Sequence, residues 1–490
     1  MITKTIAKLI AYGKTHLSLG ELDATYVRNI LLKLFKQDEP YDGKIDQKEI
    51  DSLNVPDLLI EELKTDILPE EQESQIALVM SLISPRPDAV NDKFKELYKQ
   101  SPKTATEYLY NINVKNFYVQ KSKVDKNIEW NSADGLEISI NLSKPEKSNA
   151  DIKKALSSNN SKYPSCLICY ENLGYWGKEK FPARQNIRFI PLMFNSEQWF
   201  MQYSPYGYFY RHFILVKKEH TPMVVSDDNL ERLFDFVDLF PHFLIGSNSD
   251  LPITGGSILT HEHFQGGEHI FPMMKRDLKA IYKDPKFPSL EIGILDWYNS
   301  AIRVEGQNRD EVLNFVKNVI HTWKKYNDSA SGIIAFSNNE QHNSVTPFVQ
   351  KINGGYRAFI ILRNNLTTIE YPDGVFHAHK EFFMIKKEGI GLIEAAGKFI
   401  LPARLNRQLK TIEAILQDNI SKEKYLELYP DLADFISFIE PLRGVKNIHE
   451  SVIERVNEIC KCILMNTAVF KDDEIGKKSF DLFMHQLGLE

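Results

Sequence analysis

Cysteine is scarce. The 490 residues contain four, Cys166, Cys169, Cys460 and Cys462. That is too few for a disulfide framework, so the expected compartment is a reducing cytoplasm. Long apolar runs are missing as well. None approaches the roughly 18 uncharged apolar residues of a membrane span. The N-terminal stretch MITKTIAKLIAYGKTH breaks its apolar positions with Lys4, Lys8 and Lys14. It reads as an amphipathic helix, not a signal peptide. No excess of one charge stands out: 60 basic against 66 acidic residues leave a net charge of -6. Nothing electrostatic points to nucleic acid or to an acidic membrane as partner. A hydrophobic share of 43% and a charged share of 26% exclude a disordered or fibrous chain.

What the chain does have is histidine in one place. Ten of its 13 histidines fall between His212 and His379, and histidine is the side chain best suited to metals and to chemistry near neutral pH. The rest of the chain frames that window. Residues 1–125 carry helix-type apolar spacing, as in Tyr26–Phe35 and Ile76–Met80. The polar, lysine-rich stretch Ser143–Ser161 reads as an exposed excursion. Short apolar runs bounded by Gly, Pro and Asn then predict strands at Ile187–Phe194, Phe213–Val216, Ile333–Phe336 and Ala358–Leu362. Residues 404–490 return to helical spacing. A faint repeat is also present. Tyr210–Lys217 resembles Tyr356–Arg363, and each is followed by a His-x-His, first His261-Glu262-His263 and then His377-Ala378-His379. The expected class is α+β: two duplicated antiparallel-sheet units, 126–290 and 291–403, with helical additions at both ends.

The run Gly255-Gly256-Ser257-Ile258-Leu259-Thr260-His261-Glu262-His263-Phe264-Gln265-Gly266-Gly267 is the strongest feature. On a strand spanning His261–His269, alternate side chains share a face, so His261, His263 and Gln265 point together. A core-packing face is not built from two imidazoles and an amide. The flanking glycines allow the close backbone approach a phosphate needs. An imidazole nitrogen can attack phosphorus and pass the group on, with an amide donor steadying the non-bridging oxygens. Spacing alone leaves ordinary metal ligands or surface histidines equally open. Cys166-Leu167-Ile168-Cys169 can chelate one Zn²⁺. Two buried thiols without metal, or a redox pair, remain the alternatives.

His-x-His-x-Gln resembles the signature of the histidine-triad superfamily. With the upstream CxxC, the Lys-Glu-His ending at His220 and the second His-Ala-His, the region from Arg86 to Pro402 resembles the galactose-1-phosphate uridylyltransferase family, in its longer branch. The resemblance implies two histidine-triad-like units and transfer of a uridylyl group from UDP-glucose to galactose 1-phosphate. It makes His263 the nucleophile and Gln265 the residue that holds the reacting phosphoryl group. Asn195 and Arg86 match nucleotide-binding positions, and Asn248 and Ser257 match positions near the phosphates. Lys386 lies in a segment that approaches the hexose across a homodimer. Cys166, Cys169, His220 and His261 match a structural zinc site. His342, His377 and His379 match three ligands of a second metal such as Fe, for which Glu268 is the candidate carboxylate. The common pattern has Pro where this chain has Glu262, which on a strand points away from the catalytic face.

Other features have plainer readings. Cys460 and Cys462 sit in an expected helix, Val452–Met465, as packing residues. Lys144 and Lys147 belong to a solvated loop. Trp199–Tyr206 is core or interface. Three rival functions stay open: a dinucleotide phosphorylase or nucleotidyl hydrolase, a zinc-stabilised nucleotide-sugar binder without turnover, and a metallohydrolase.

Overall fold

The computed structural model describes residues 2–62, 69–142, 163–178, 181–256 and 258–490. The excursion at Ser143–Ser161, with Lys144 and Lys147, and Ser257 lie outside the described residues. The strands, in chain order, are β1 (Ile128–Asn131), β2 (Glu137–Asn141), β3 (Ile190–Phe194), β4 (Glu197–Tyr203), β5 (Phe213–Lys217), β6 (Leu244–Gly246), β7 (His263–Gly267) and β8 (Leu278–Tyr282). They continue with β9 (Glu291–Leu295), β10 (Ala301–Gly306), β11 (Phe336–Ser337), β12 (Glu340–Gln341), β13 (Asn343–Ile352), β14 (Gly355–Asn364) and β15 (Lys398–Pro402). Helices occupy both ends of the chain, so the class is α+β.

The chain divides into two compact units, residues 1–122 with 147–221, and residues 123–146 with 222–490. The first unit is helical up to Lys115 and then contributes the antiparallel meander β3–β4–β5. Helix Glu21–Leu34 turns Ala24, Val27, Leu31 and Leu32 inward, the stripe its spacing predicts. Helix Pro102–Lys115 starts at Ser101, whose hydroxyl accepts the Thr104 N–H, with Pro in the first turn. Within the unit, Asn113 exchanges two hydrogen bonds with the Arg188 backbone, of 2.9 and 3.1 Å. The Tyr203 hydroxyl donates to Thr106 O at 2.9 Å. The aromatic run is core: Trp199, Phe200, Met201 and Tyr203 are all buried.

The second unit holds seven strands in the order β7–β6–β13–β14–β10–β9–β8. Every pairing among them is antiparallel. A smaller sheet, β1–β2–β15, has a parallel β2–β15 pair. The long hairpin β13–β14 is ten residues on each arm and nearly all buried. Trp323 closes helix Arg309–Trp323 onto that hairpin, its indole N–H reaching Ser344 O and Arg363 O at 2.9 and 3.0 Å. The C-terminal helices Ile448–Thr467 and Glu474–Gln486 fall in the tail expected to be helical.

Chain order displays the duplication. A three-strand meander, a helix (Asp227–Leu239) and the hairpin β6–β7 are followed by the meander β8–β9–β10, helix Arg309–Trp323 and the hairpin β13–β14. This pattern makes β14 the counterpart of β7 and β10 the counterpart of β5. The sequence match of Tyr210–Lys217 to Tyr356–Arg363 therefore joins non-equivalent strands. Their likeness is that of two buried strands with basic ends. One further expectation shifts: the strand expected at Ile333–Phe336 shrinks to the two-residue β11. The second His-x-His lies in irregular chain after β14.

Candidate active site

Strand β7 opens at His263, so His261 stands just before it and not on it. Its pairing with β6 sets Gln265 opposite Gly246 and Gly266 opposite Ile245. Alternation then gives His263 and Gln265 one face. His263 is buried, 5% exposed, and its Nδ1 lies 2.8 Å from His261 O. A carbonyl only accepts, so Nδ1 carries the proton and Nε2 keeps its lone pair. Burial pushes the His263 imidazole down to about 4, so at neutral pH the ring is uncharged and its Nε2 nucleophilic. Glu262, also buried, accepts a short hydrogen bond from Asn229 Nδ2. Asn229 lies in the first turn of helix Asp227–Leu239, whose cap Ser226 receives the Asn229 N–H at 3.3 Å. The residue between the two histidines thus ties them to a helix N-terminus.

The loop from β6 to β7 is built around absent side chains. A Cβ on Gly256 would meet Asn248 Nδ2 at 2.7 Å, so only glycine lets the backbone lie against that amide. The other end of Asn248 accepts the Leu392 N–H at 2.9 Å. Ile253, a β-branched residue, holds φ +71° in the same loop, a conformation such residues seldom adopt. That strain is a site signal which the sequence does not carry.

In the first unit, Asn195 and Ser196 have φ of 45° and 67° and form the two-residue turn joining β3 to β4. Asparagine tolerates that conformation better than most residues, so the position has a conformational reason for Asn beside any nucleotide contact. Arg86 is exposed and precedes helix Pro87–Tyr98. Beneath it lies Arg188, 2% exposed, which donates to the carbonyls of Pro85, Gln185, Ile187 and Ser81. Burial, then the charge of Arg86, holds Arg188 down at about 10. Sequence reasoning missed Arg188, although a lone basic residue inside the run Ile187–Phe194 was the available signal.

Cys166 Sγ and Cys169 Sγ lie 3.3 Å apart, and Cys169 Sγ is 3.1 Å from His220 Nδ1. The Cys169 sulfur beside it lowers the Cys166 thiol, against its burial. Two thiolates and an imidazole of one unit thus offer three donors to a metal ion, of the kind a zinc site uses. The second expected set does not assemble among the described residues. His342 is engaged by Ser337 and Asn365 at 2.6 and 2.9 Å. His379 Nε2 takes Val375 O at 3.1 Å. His377 Nε2 receives the Ile390 N–H at 3.3 Å. Lys386 is buried, its ammonium 3.0 Å from Glu394 Oε1 and 2.9 Å from Ile400 O. That ion pair lies inside its own chain. Cys460 is fully buried, which raises its thiol, as a packing residue's should be.

A neutral buried imidazole, an amide on its face and a glycine loop are together able to carry group transfer at phosphorus. Two family models match the chain: galactose-1-phosphate uridyl transferase N-terminal domain over residues 19–222, and its C-terminal domain over 236–428. The galactose-1-phosphate uridylyltransferase of Caldanaerobacter subterraneus is 38% identical, with 99% of this chain and 98% of the relative covered. That of Clostridium acetobutylicum is 37% identical, covering 99% of this chain and 100% of the relative. Among solved structures, yeast Ap4A phosphorylase Apa2 aligns at 10% identity and a TM-score of 0.31, over 62% of this chain and 91% of that one. The chain belongs to the galactose-1-phosphate uridyl transferase family, a family of uridylyltransferase enzymes.

Proposed function

We propose that this enzyme moves a uridylyl group from UDP-glucose to galactose 1-phosphate in two displacements on His263. The carrying observation is the 2.8 Å contact of His263 Nδ1 with His261 O, which leaves Nε2 deprotonated and fixed in direction. In the first step Nε2 attacks the α-phosphorus of UDP-glucose. An N–P bond forms, the P–O bond to the leaving group breaks, and glucose 1-phosphate departs with the electron pair. In the second step a phosphate oxygen of galactose 1-phosphate attacks the same phosphorus, the N–P bond breaks and UDP-galactose leaves. Gln265, on the same face of β7, donates to the non-bridging oxygens as charge builds there. Asn248 and the Gly255–Gly256 loop hold the diphosphate, while Arg86 and Asn195 serve the nucleotide. For Ser257 we keep the phosphate role by resemblance alone.

Cys166, Cys169, His220 and His261 would hold a zinc ion. Such a closed site braces His261 and does no chemistry of its own. We place the enzyme in the cytoplasm as a homodimer on family grounds; no helix among the described residues is long and apolar enough to cross a membrane.

Intact-protein mass spectrometry after mixing with UDP-glucose and no acceptor tests the mechanism. The expected result is a mass gain of one uridylyl group, absent in His263→Ala and discharged by galactose 1-phosphate. Free UMP without a lasting adduct would replace this reading with a hydrolase. Bound, intact UDP-glucose would replace it with a binding protein.

A further inference from the structure

We infer that Arg363 and His377 form a buried subsite for a phosphate-class oxyanion. Arg363, near the C-terminal end of β14, is 1% exposed. One of its donors, Nη2, reaches Ile390 O at 2.7 Å. Its Nε and Nη1 have no partner among the described residues. His377 is 4% exposed, and its Nδ1 is likewise without a partner. Because His377 Nε2 accepts the Ile390 N–H, the ring proton sits on Nδ1. All three unmet groups are therefore donors. One peptide brings the two side chains together, since Ile390 gives its N–H to His377 and its C=O to Arg363.

Three buried N–H groups suit a ligand that only accepts. With Nη2 spent on Ile390 O, Nε and Nη1 lie on opposite edges of the guanidinium and offer two separate charge-assisted hydrogen bonds, not a fork. Charge points the same way. Arg363 makes no ion pair among the described residues. The buried carboxylate nearby, Glu394, is 3.0 Å from Lys386, and Glu388, 3.9 Å from Lys386, faces solvent. A buried cation without a counter-charge is costly. The surrounding chain also gives up side chains. Gly389 would bring a Cβ to 3.4 Å from Ile253 O, and Gly374, at φ +113°, would bring one to 2.9 Å from the His377 Cβ. Two residues along from Ile390, the Leu392 N–H is the one held by Asn248, so the subsite adjoins the loop we assign to the diphosphate. The anion has two sources of the same chemistry: free inorganic phosphate, or the phosphoryl group of the acceptor sugar phosphate. Only the second rests on the function proposed above.

The test is a titration of the full-length chain with inorganic phosphate at fixed ionic strength, read by calorimetry, with UDP-glucose absent and then saturating. Saturable binding to the chain without UDP-glucose is expected. UDP-glucose should compete with it if the source is the sugar phosphate, whose phosphoryl takes the place of the departing one, and should leave it intact if the source is the free anion. The phosphate affinity should fall at least tenfold in Arg363→Gln and several-fold in His377→Asn, each checked for native circular dichroism. If galactose 1-phosphate displaces the phosphate, and Arg363→Gln slows discharge of the uridylyl-enzyme at least tenfold, the source is the sugar phosphate. If it neither displaces phosphate nor depends on Arg363 for discharge, the source is the free anion. No saturable phosphate binding to the wild-type chain overturns the subsite whatever the variants do, as does binding that both variants leave unchanged. A wild-type chain that never labels with UDP-glucose sinks the proposed function instead and leaves the phosphate titration intact.

Discussion

Glu262 occupies the position between His261 and His263, where the common pattern of the family carries proline. Its carboxylate is anchored by Asn229, and the residue before it, His261, supplies the carbonyl that orients His263. Small misplacements of a nucleophile cost on the order of 100-fold in rate. Glu262→Ala should therefore lower kcat by about 10- to 100-fold while KM for UDP-glucose moves little. Asn229→Ala should reproduce the loss, and the double variant should be no worse than either. Unchanged kcat in Glu262→Ala would assign the contact to stability alone. Asn195 offers a second residue-scale test. Glycine suits φ +45° as well as asparagine does, so Asn195→Gly should keep the melting temperature. A fall in UDP-glucose affinity in that variant would then report the lost amide, and unaltered affinity would reduce Asn195 to a turn residue.

Strand β7 is secured beyond its C-terminal end. His269 Nε2 meets Glu137 Oε2 on β2 at 2.7 Å, and Lys275 and Lys398 lie 3.3 and 3.6 Å from the same carboxylate. Burial alone would raise the Glu137 carboxyl. The hydrogen bond and charge of His269, then the lysines, outweigh it and hold the group at about 2. A depressed acid stabilises the fold above its unfolded value, and that contribution is lost as pH falls through the folded one. The loss should run from about pH 4.5 down to about pH 2. Glu137→Gln should be less stable at neutral pH and should flatten the acid limb of a denaturation-midpoint profile in that window. An unchanged limb would remove Glu137 from the acid response. At the same scale, Trp323 joins its helix to both arms of the β13–β14 hairpin and is fully buried. Trp323→Ala should cost about 3–5 kcal/mol in urea unfolding.

For the whole molecule, the metal is the feature to weigh. The zinc site proposed above predicts one zinc per chain by elemental analysis. The Cys166→Ser, Cys169→Ser double variant should lose the metal and several degrees of melting temperature. Cys460→Ser should keep the metal, because that thiol is in the core and not in the donor set. A full complement of zinc in the double variant would refute the assignment. The unassembled His342, His377 and His379 predict no second tightly bound iron.

Much of this protein was readable from its residues in order. Helical ends followed from apolar spacing at Val27, Leu31 and Leu32, because a helix repeats locally. The shared face of His263 and Gln265 followed from alternation within one strand. The CxxC was legible as a candidate chelate, since two thiolates at that spacing lie close together, as Cys166 and Cys169 do. Three things needed the tertiary structure. The equivalence of β14 with β7 depends on which strands pair, and pairing partners lie far apart in sequence. That Lys386 is an internal ion pair, not a solvated lysine, depends on Glu394 and on the carbonyl of Ile400 being folded onto it. The two unmet donors of Arg363 exist because burial removes the water that would otherwise satisfy them. Sequence determines what each side chain can do, and long-range packing decides which of those capacities are already spent inside the fold.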